Sequence, residues 1–124
     1  MRGSKMSNYD EIKVTIFKYF DGLCKADRGM LEEAFSVDAG HMKGYLKNDK
    51  DGYDMSVRPM NEVIDDWASR DPAPDMKGKI ISINIFDDVA ATALFDFNGI
   101  FTDSFQLAKV DGQWKNVNKF YINR

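Results

Sequence analysis

The stretch that decides the fold lies in the C-terminal third of the chain. Residues 79–122 read KIISINIFDDVAATALFDFNGIFTDSFQLAKVDGQWKNVNKFYI. The dividers Asp87-Asp88, Gly99 and Asp111-Gly112 split this stretch into runs of strand length over 79–86, 89–98, 100–110 and 114–122. Apolar and polar residues alternate within the runs, and Asp-Gly suits the positive φ angles of a type I′ hairpin turn. We therefore predict four strands joined as an antiparallel meander.

The N-terminal half has the residue spacing of helices. From Ser7 to Cys24, apolar residues recur at intervals of three and four, and Ser7 with Asp10 provides a capping start. Asp27 predicts the N-cap of a short second helix that continues through Phe35. We expect Pro59 to be the first residue of a third helix. This helix must end before the prolines at positions 72 and 74.

These elements together predict one α+β domain. A further strand is predicted over His41 to Leu46, followed by a turn over Asn48 to Asp54. Three helices followed by an antiparallel meander favour a curved sheet with the helices covering one face. We expect residues 7–124 to form this single domain, and residues 1–6 to be an expression leader or disordered.

Composition excludes several classes of protein. With 17 Lys plus Arg against 20 Asp plus Glu, the formal charge is −3, so nucleic acid is not an expected partner. One cysteine, Cys24, and one histidine, His41, cannot supply an internal disulfide or a Cys/His zinc site. We expect neither a metal nor another cofactor. No apolar run reaches the roughly 20 residues that span a bilayer, so we expect a cytoplasmic protein without membrane contact.

Asp103 is the first candidate for a functional-site residue. It shares one face of its predicted strand with Phe101, Phe105 and Leu107. A carboxyl group among aromatic residues lies either at the rim of the sheet or inside a pocket. Loss of solvent disfavours its charged form, and a neutral carboxylic acid can donate a hydrogen bond. The structural alternative is that Asp103 binds backbone N–H groups or an arginine.

Three other side chains are candidates. Tyr19 lies on the buried stripe of the first helix, where its hydroxyl either has a functional partner or only an incidental hydrogen bond. His41 and Lys43 share one face of the predicted strand over 41–46. Histidine is suited to proton transfer near neutral pH, although a histidine at a strand start is often a surface residue, as a lysine usually is.

Two familiar motifs fail on inspection. Residues 49–54 resemble a calcium loop, but placing Gly52 at the sixth position puts Lys47 first and Arg58 twelfth, where carboxylates are needed. The glycines are isolated, without the spacing of a phosphate-binding loop or a nucleophile elbow. The sequence therefore gives no support for nucleotide hydrolysis or for triad chemistry.

Six segments together resemble the "putative lumazine-binding" family of the nuclear transport factor 2-like superfamily, which also contains ketosteroid isomerase, scytalone dehydratase and the SnoaL-like cyclases. The segments are Ile16-Phe-Lys-Tyr-Phe-Asp-Gly22, Ala26-Asp27, Ala34-Phe-Ser-Val-Asp-Ala39, Ile81-Ser-Ile-Asn-Ile85, Asp103-Ser-Phe-Gln-Leu107 and Asp111-Gly-Gln-Trp-Lys-Asn-Val-Asn-Lys119. The resemblance implies a cone-shaped α+β domain in which three helices and a curved, largely antiparallel sheet enclose an apolar pocket. It also implies a homodimer.

The resemblance to ketosteroid isomerase assigns roles to individual residues. It places Tyr19 and Asp103 at the two donors that polarise a carbonyl oxygen in that enzyme. The position of the general base falls on Lys43, with His41 one strand repeat earlier, so the carboxylate base is missing. What the resemblance implies is an isomerase, dehydratase or cyclase in which His41, or else Lys43, moves the proton.

Two other functions remain open from the sequence. One is a binding module without chemistry, which holds a small apolar or heteroaromatic ligand between aromatic side chains. The aromatic candidates are Phe35, Trp67, Phe95, Phe97, Phe105 and Phe120. The other is an interaction protein that acts through a dimeric sheet face.

Overall fold

The α+β prediction is confirmed by the computed structural model, which describes residues 6–123. The expectation for residues 1–5 lies outside this range. Within it, three helices and six strands follow one another along the chain: α1 (Asn8–Lys25), α2 (Arg28–Ala34), β1 (His41–Lys47), β2 (Tyr53–Pro59), α3 (Met60–Ala68), β3 (Gly78–Phe86), β4 (Ala90–Phe97), β5 (Phe101–Val110) and β6 (Gln113–Asn123).

The helices begin where their capping residues indicate. Ser7 Oγ accepts a hydrogen bond from the Asp10 amide at 3.1 Å, and Asp27 Oδ1 accepts one from the Met30 amide at 3.2 Å. Such caps satisfy amides that have no partner within the helix. Pro59 caps α3 and does not open it, one residue away from the prediction.

The sheet has the order β2-β1-β6-β5-β4-β3, in which β1 and β6 run parallel and every other pair is antiparallel. The predicted meander of β3 to β6 is confirmed. Its three turns each have positive φ at both central residues, at 87–88, 98–99 and 111–112, as type I′ geometry requires. Register shifts at Ile80/Ser82 and at Gln106/Leu107 interrupt the ladders, and β-bulges of this kind bend a sheet.

Strand β2 was not predicted. The expected turn over 48–54 ends earlier, and the chain returns along β1 from Tyr53. Tyr53, Met55 and Val57 do alternate with polar residues, which is the period of a strand, but the predicted turn took in part of this segment. These three apolar side chains are exposed, so the apolar face of β2 is its outer face and not the face toward the core.

The three helices cover one face of the sheet and bury a core rich in aromatic residues. The ring of Tyr19 lies 5.2–6.2 Å, centroid to centroid, from five other aromatic rings, those of Phe35, Trp67, Phe95, Phe97 and Phe105. Three of these contacts, to Phe35, Phe95 and Phe105, are edge-to-face, a geometry that stabilises by about 0.5–1.5 kcal/mol each beyond the burial of area. The core therefore fixes the position of α1 relative to β4 and β5.

Over residues 6–123 no helix has the length and apolar character needed to cross a bilayer. No group of three or more His, Cys, Asp and Glu side chains is placed to hold a metal ion in the same range.

Candidate functional site

A cavity of about 350 Å³ lies between the helices and the inner face of the sheet. Its volume is at the small end of the roughly 300–1,000 Å³ that ligand pockets occupy. Most of its wall is apolar, from Leu23, Met42, Leu46, Met76, Phe97 and Phe101. Tyr19, Asp103 and Lys119 also line it, and we call these three buried residues the polar floor. Arg58 and Arg70 are more exposed and form its rim.

The hydrogen bond between Tyr19 and Asp103 joins α1 to β5. Tyr19 Oη donates to Asp103 Oδ2 over 2.6 Å, a length typical of a hydroxyl bound to a carboxylate. Burial, followed by the charge of Asp103, holds the pKa of Tyr19 well above its ordinary value, so the hydroxyl keeps its proton. The other carboxylate oxygen, Asp103 Oδ1, accepts no hydrogen bond from the described residues.

Lys119 brings a second buried charge to the polar floor. Its side chain is 5% exposed, and Nζ lies 3.4 Å from Asp103 Oδ1, 3.6 Å from Met42 Sδ and 4.1 Å from the centroid of the Tyr121 ring. Burial lowers the pKa of Lys119, while the Asp103 carboxylate raises it in opposition. At 3.4 Å the pair is longer than the roughly 2.7–2.9 Å of a good charge-assisted hydrogen bond.

The register of β5 and β6 explains why these groups meet. Asp103 pairs with Tyr121, so the two side chains project from the same face, and Lys119 projects from that face two residues earlier. Gly44 on β1 pairs with Tyr121 on the other side. A Cβ atom at Gly44 would lie 2.7 Å from Tyr121 Cζ, so the absence of a side chain there gives the Tyr121 ring its place.

The rim carries the guanidinium groups of Arg58 and Arg70 beside the exposed Asp71. Arg58 and Arg70 share Asp66 Oδ2 at 3.4 and 2.6 Å, and the hydrogen bond from Arg70 lowers the pKa of Asp66. Burial raises the pKa of Tyr121, and the charges of Arg58 and Arg70 oppose that rise. The field of the two guanidinium groups thus extends to the tyrosine beside Lys119.

The structure brings four of the predicted site residues to the cavity, namely Tyr19, Asp103, Trp67 and Phe97. Three more lie in the aromatic core around the Tyr19 ring and do not line the cavity: Phe35, Phe95 and Phe105. Their rings pack against the ring of Tyr19, which belongs to the polar floor.

His41, Lys43 and Phe120 require a correction. They lie on the outer face of the sheet, exposed and away from the cavity. On β1 the residues that face inward are Met42, Gly44 and Leu46, and a period of two sends their neighbours outward. Neither predicted base therefore reaches the polar floor.

Sequence reasoning missed Lys119 because of a β-bulge. Leu107 pairs with Asn116 and Gln106 with Asn118, so Val117 is an extra residue in β6. Trp114 and Asn116 face the core, and an unbroken period of two would send Phe120 inward and Lys119 outward. The extra residue reverses this order. No pattern in a single sequence marks the bulge.

Comparisons with known proteins agree with this architecture. The family described as "Putative lumazine-binding" matches residues 7–122. No curated protein matches the chain. A nuclear transport factor 2-like protein of unknown function from Shewanella baltica is similar, with a TM-score of 0.79 and 29% identity over 99% of this chain and 98% of that one.

Two further solved structures share the fold. One, from Methylobacillus flagellatus, is a nuclear transport factor 2-like protein of unknown function with a TM-score of 0.76 and 25% identity, covering 98% of this chain and 95% of its own. A ketosteroid isomerase-like protein from Erwinia carotovora has a TM-score of 0.64 and 12% identity, covering 96% and 98%. By its fold and its match over residues 7–122, the chain belongs to the "Putative lumazine-binding" family of the nuclear transport factor 2-like superfamily.

Proposed function

We propose that the cavity binds a small, flat, largely apolar or heteroaromatic molecule whose polar group reaches Asp103 and Lys119. The observation that carries this proposal is the pair of under-bonded opposite charges at 3.4 Å, buried and facing the cavity. A hydroxyl, enol or lactam group can accept a hydrogen bond from Lys119 and donate one to Asp103 Oδ1. The apolar wall would then hold the ring system.

The cost of burying charges supports a functional role for the pair of Asp103 and Lys119. Removing two charges from water costs several kcal/mol per ion, and replacing such a pair by apolar side chains is often neutral or stabilising. Buried ionisable groups in a cleft are therefore candidates for function, and burial lowers the pKa of Lys119 in this one. The family description, which names lumazine, agrees with a heteroaromatic ligand.

A second candidate function is proton transfer on a carbonyl compound, as in an isomerase, dehydratase or cyclase. It is favoured by an acid and a base that adjoin in an apolar cavity. Lys119 would stabilise a developing oxyanion and Asp103 would take the α-proton. The expected pair of donors, Tyr19 and Asp103, is replaced in this proposal, because Tyr19 donates to Asp103 itself.

We also propose that the outer sheet face joins a second copy of the chain. Exposed apolar side chains of β1, β2 and β6 form an outer patch: Tyr45, Tyr53, Met55, Val57, Phe120 and Ile122. Tyr45 and Tyr53 stack with ring centroids 4.9 Å apart. Contiguous exposed apolar surface is characteristic of interaction sites, and a two-fold axis would pair the patch with itself.

The binding proposal predicts the behaviour of 2-naphthol, whose hydroxyl matches both members of the pair. The double substitution Asp103→Asn with Lys119→Met removes both charges while nearly preserving volume. We expect the Kd for 2-naphthol to rise by about tenfold or more, because charge-assisted hydrogen bonds contribute about 1.5–3 kcal/mol. Isothermal titration calorimetry measures this change.

The matched controls are naphthalene as ligand and Lys13→Met as variant. Naphthalene should bind the native and doubly substituted proteins alike, and Lys13→Met should leave 2-naphthol binding unchanged, because Lys13 lies exposed on α1, outside the cavity. Equal Kd values for 2-naphthol in native and doubly substituted protein would contradict the proposal. Circular dichroism confirms that the double variant is folded.

The catalytic proposal predicts exchange of α-protons in 2-tetralone dissolved in D₂O. We expect the native protein to accelerate the exchange by about 100-fold or more over buffer, the range of general acid–base catalysis. Asp103→Asn and Lys119→Met should each abolish most of that acceleration, whereas His41→Ala should retain it. Proton NMR follows the loss of the α-signal. An exchange rate equal to that in buffer, or one that depends on His41, would be the opposite result.

The dimer proposal predicts that the native protein sediments with twice the mass of one chain at micromolar concentration. Val57→Lys places a second positive charge opposite Lys43 in the outer patch and should give a monomer, since two like charges are costly to bury together. Val14→Lys, the same substitution at an exposed valine of α1, should leave the dimer intact. Analytical ultracentrifugation measures the mass: a monomeric native protein refutes the proposal, as does a dimeric Val57→Lys variant.

A further inference from the structure

Lys119 differs from the other lysines in its surroundings. Among the lysines of residues 6–123, Lys119 alone is buried. Its ammonium group lies over the Tyr121 ring and near the rings of Tyr19 and Trp67, yet it also lines the cavity. A bound molecule therefore meets this amine in surroundings with little water.

The burial of Lys119 favours an amine that gives up its proton. Loss of solvent lowers the pKa of Lys119, and the Asp103 carboxylate opposes that shift without cancelling it. Asp103 Oδ1 lies 3.4 Å from Nζ and accepts no hydrogen bond from the described residues, so it has a free site for that proton. The Tyr19 hydroxyl, which donates to Oδ2 over 2.6 Å, holds the carboxyl group in place.

From this geometry we infer that Lys119 is a nucleophile that forms an imine with the carbonyl carbon of an aldehyde or ketone bound in the cavity. The inference rests on the proposed small-molecule site and names the class of its substrate. Desolvated lysines in apolar pockets are activated in this way for attack on carbonyl compounds.

The reaction balances without an oxidant or reductant. Asp103 takes a proton from the ammonium group, and the freed nitrogen lone pair attacks the carbonyl carbon as the C–O π pair moves to oxygen. That oxygen takes the proton back from Asp103, which gives a carbinolamine. The nitrogen loses its second proton to Asp103, which passes it to the leaving oxygen. The C–O bond then breaks, one water molecule leaves, and a C=N bond has replaced the C=O bond.

Reductive trapping with 2-naphthaldehyde and sodium cyanoborohydride tests this inference, because the hydride converts an imine irreversibly into a secondary amine. Peptide mass spectrometry then reports alkylation at each lysine. We expect Lys119 to be alkylated more than about tenfold faster than the exposed lysines. Lys13→Met, which removes an exposed lysine of α1, should leave the rate at Lys119 unchanged.

Lys119→Met and Lys119→Arg should both lose the fast adduct, and the arginine variant preserves the charge if the methionine variant does not fold. Alkylation of Lys119 at the rate of exposed lysines, or none at all, would overturn the inference. Binding of 2-naphthol by the same preparation separates the two failures. If 2-naphthol binds without fast alkylation, the imine is wrong and the site stands, whereas loss of both overturns the site as well.

Discussion

The structure of the candidate site depends on one buried carboxylate held between two groups from different elements. Asp103 of β5 accepts a hydrogen bond from Tyr19 of α1 and faces the ammonium group of Lys119 on β6. Both charges are largely removed from bulk solvent, since Asp103 is 1% exposed and Lys119 is 5% exposed. Each charge therefore depends on the other, and any movement of α1 against the sheet would take from the buried carboxylate the hydrogen bond that Tyr19 donates.

This constraint explains the design of the surrounding fold. The aromatic core locks α1 against β4 and β5, which keeps Tyr19 within reach of Asp103. The bulge at Val117 turns Lys119 inward, and Gly44 leaves room for the Tyr121 ring beside it. The result is an apolar cavity with one concentrated polar region, which can orient a ligand by a single group.

Much of the fold is predictable from the sequence because it rests on local signals. The caps at Ser7 and Asp27 and the turn at 111–112 are short-range features with direct physical causes. Asp103 was identified because aromatic residues flank it on the same strand face. Tyr19 was identified from its place on a helical stripe.

The remainder of the site could not be predicted, because it depends on pairing between strands. His41 and Lys43 are candidates from their shared strand face, and the resemblance gives one of them the role of the base, but side chains alternate along β1 and both of these point outward. Lys119 was missed because one extra residue in β6 reverses the inward and outward positions after Asn116. Strand β2 was missed because its apolar residues cover the outside of the sheet and not the core.

The central claim is that the buried pair of Asp103 and Lys119 is where the polar group of a ligand docks. A crystal structure of the protein with bound 2-naphthol tests it most directly. The account predicts that the naphthol oxygen lies within hydrogen-bond distance of both Lys119 Nζ and Asp103 Oδ1, with the rings against the apolar wall. A naphthol oxygen at the arginine rim, or a ligand bound outside the cavity, would contradict it.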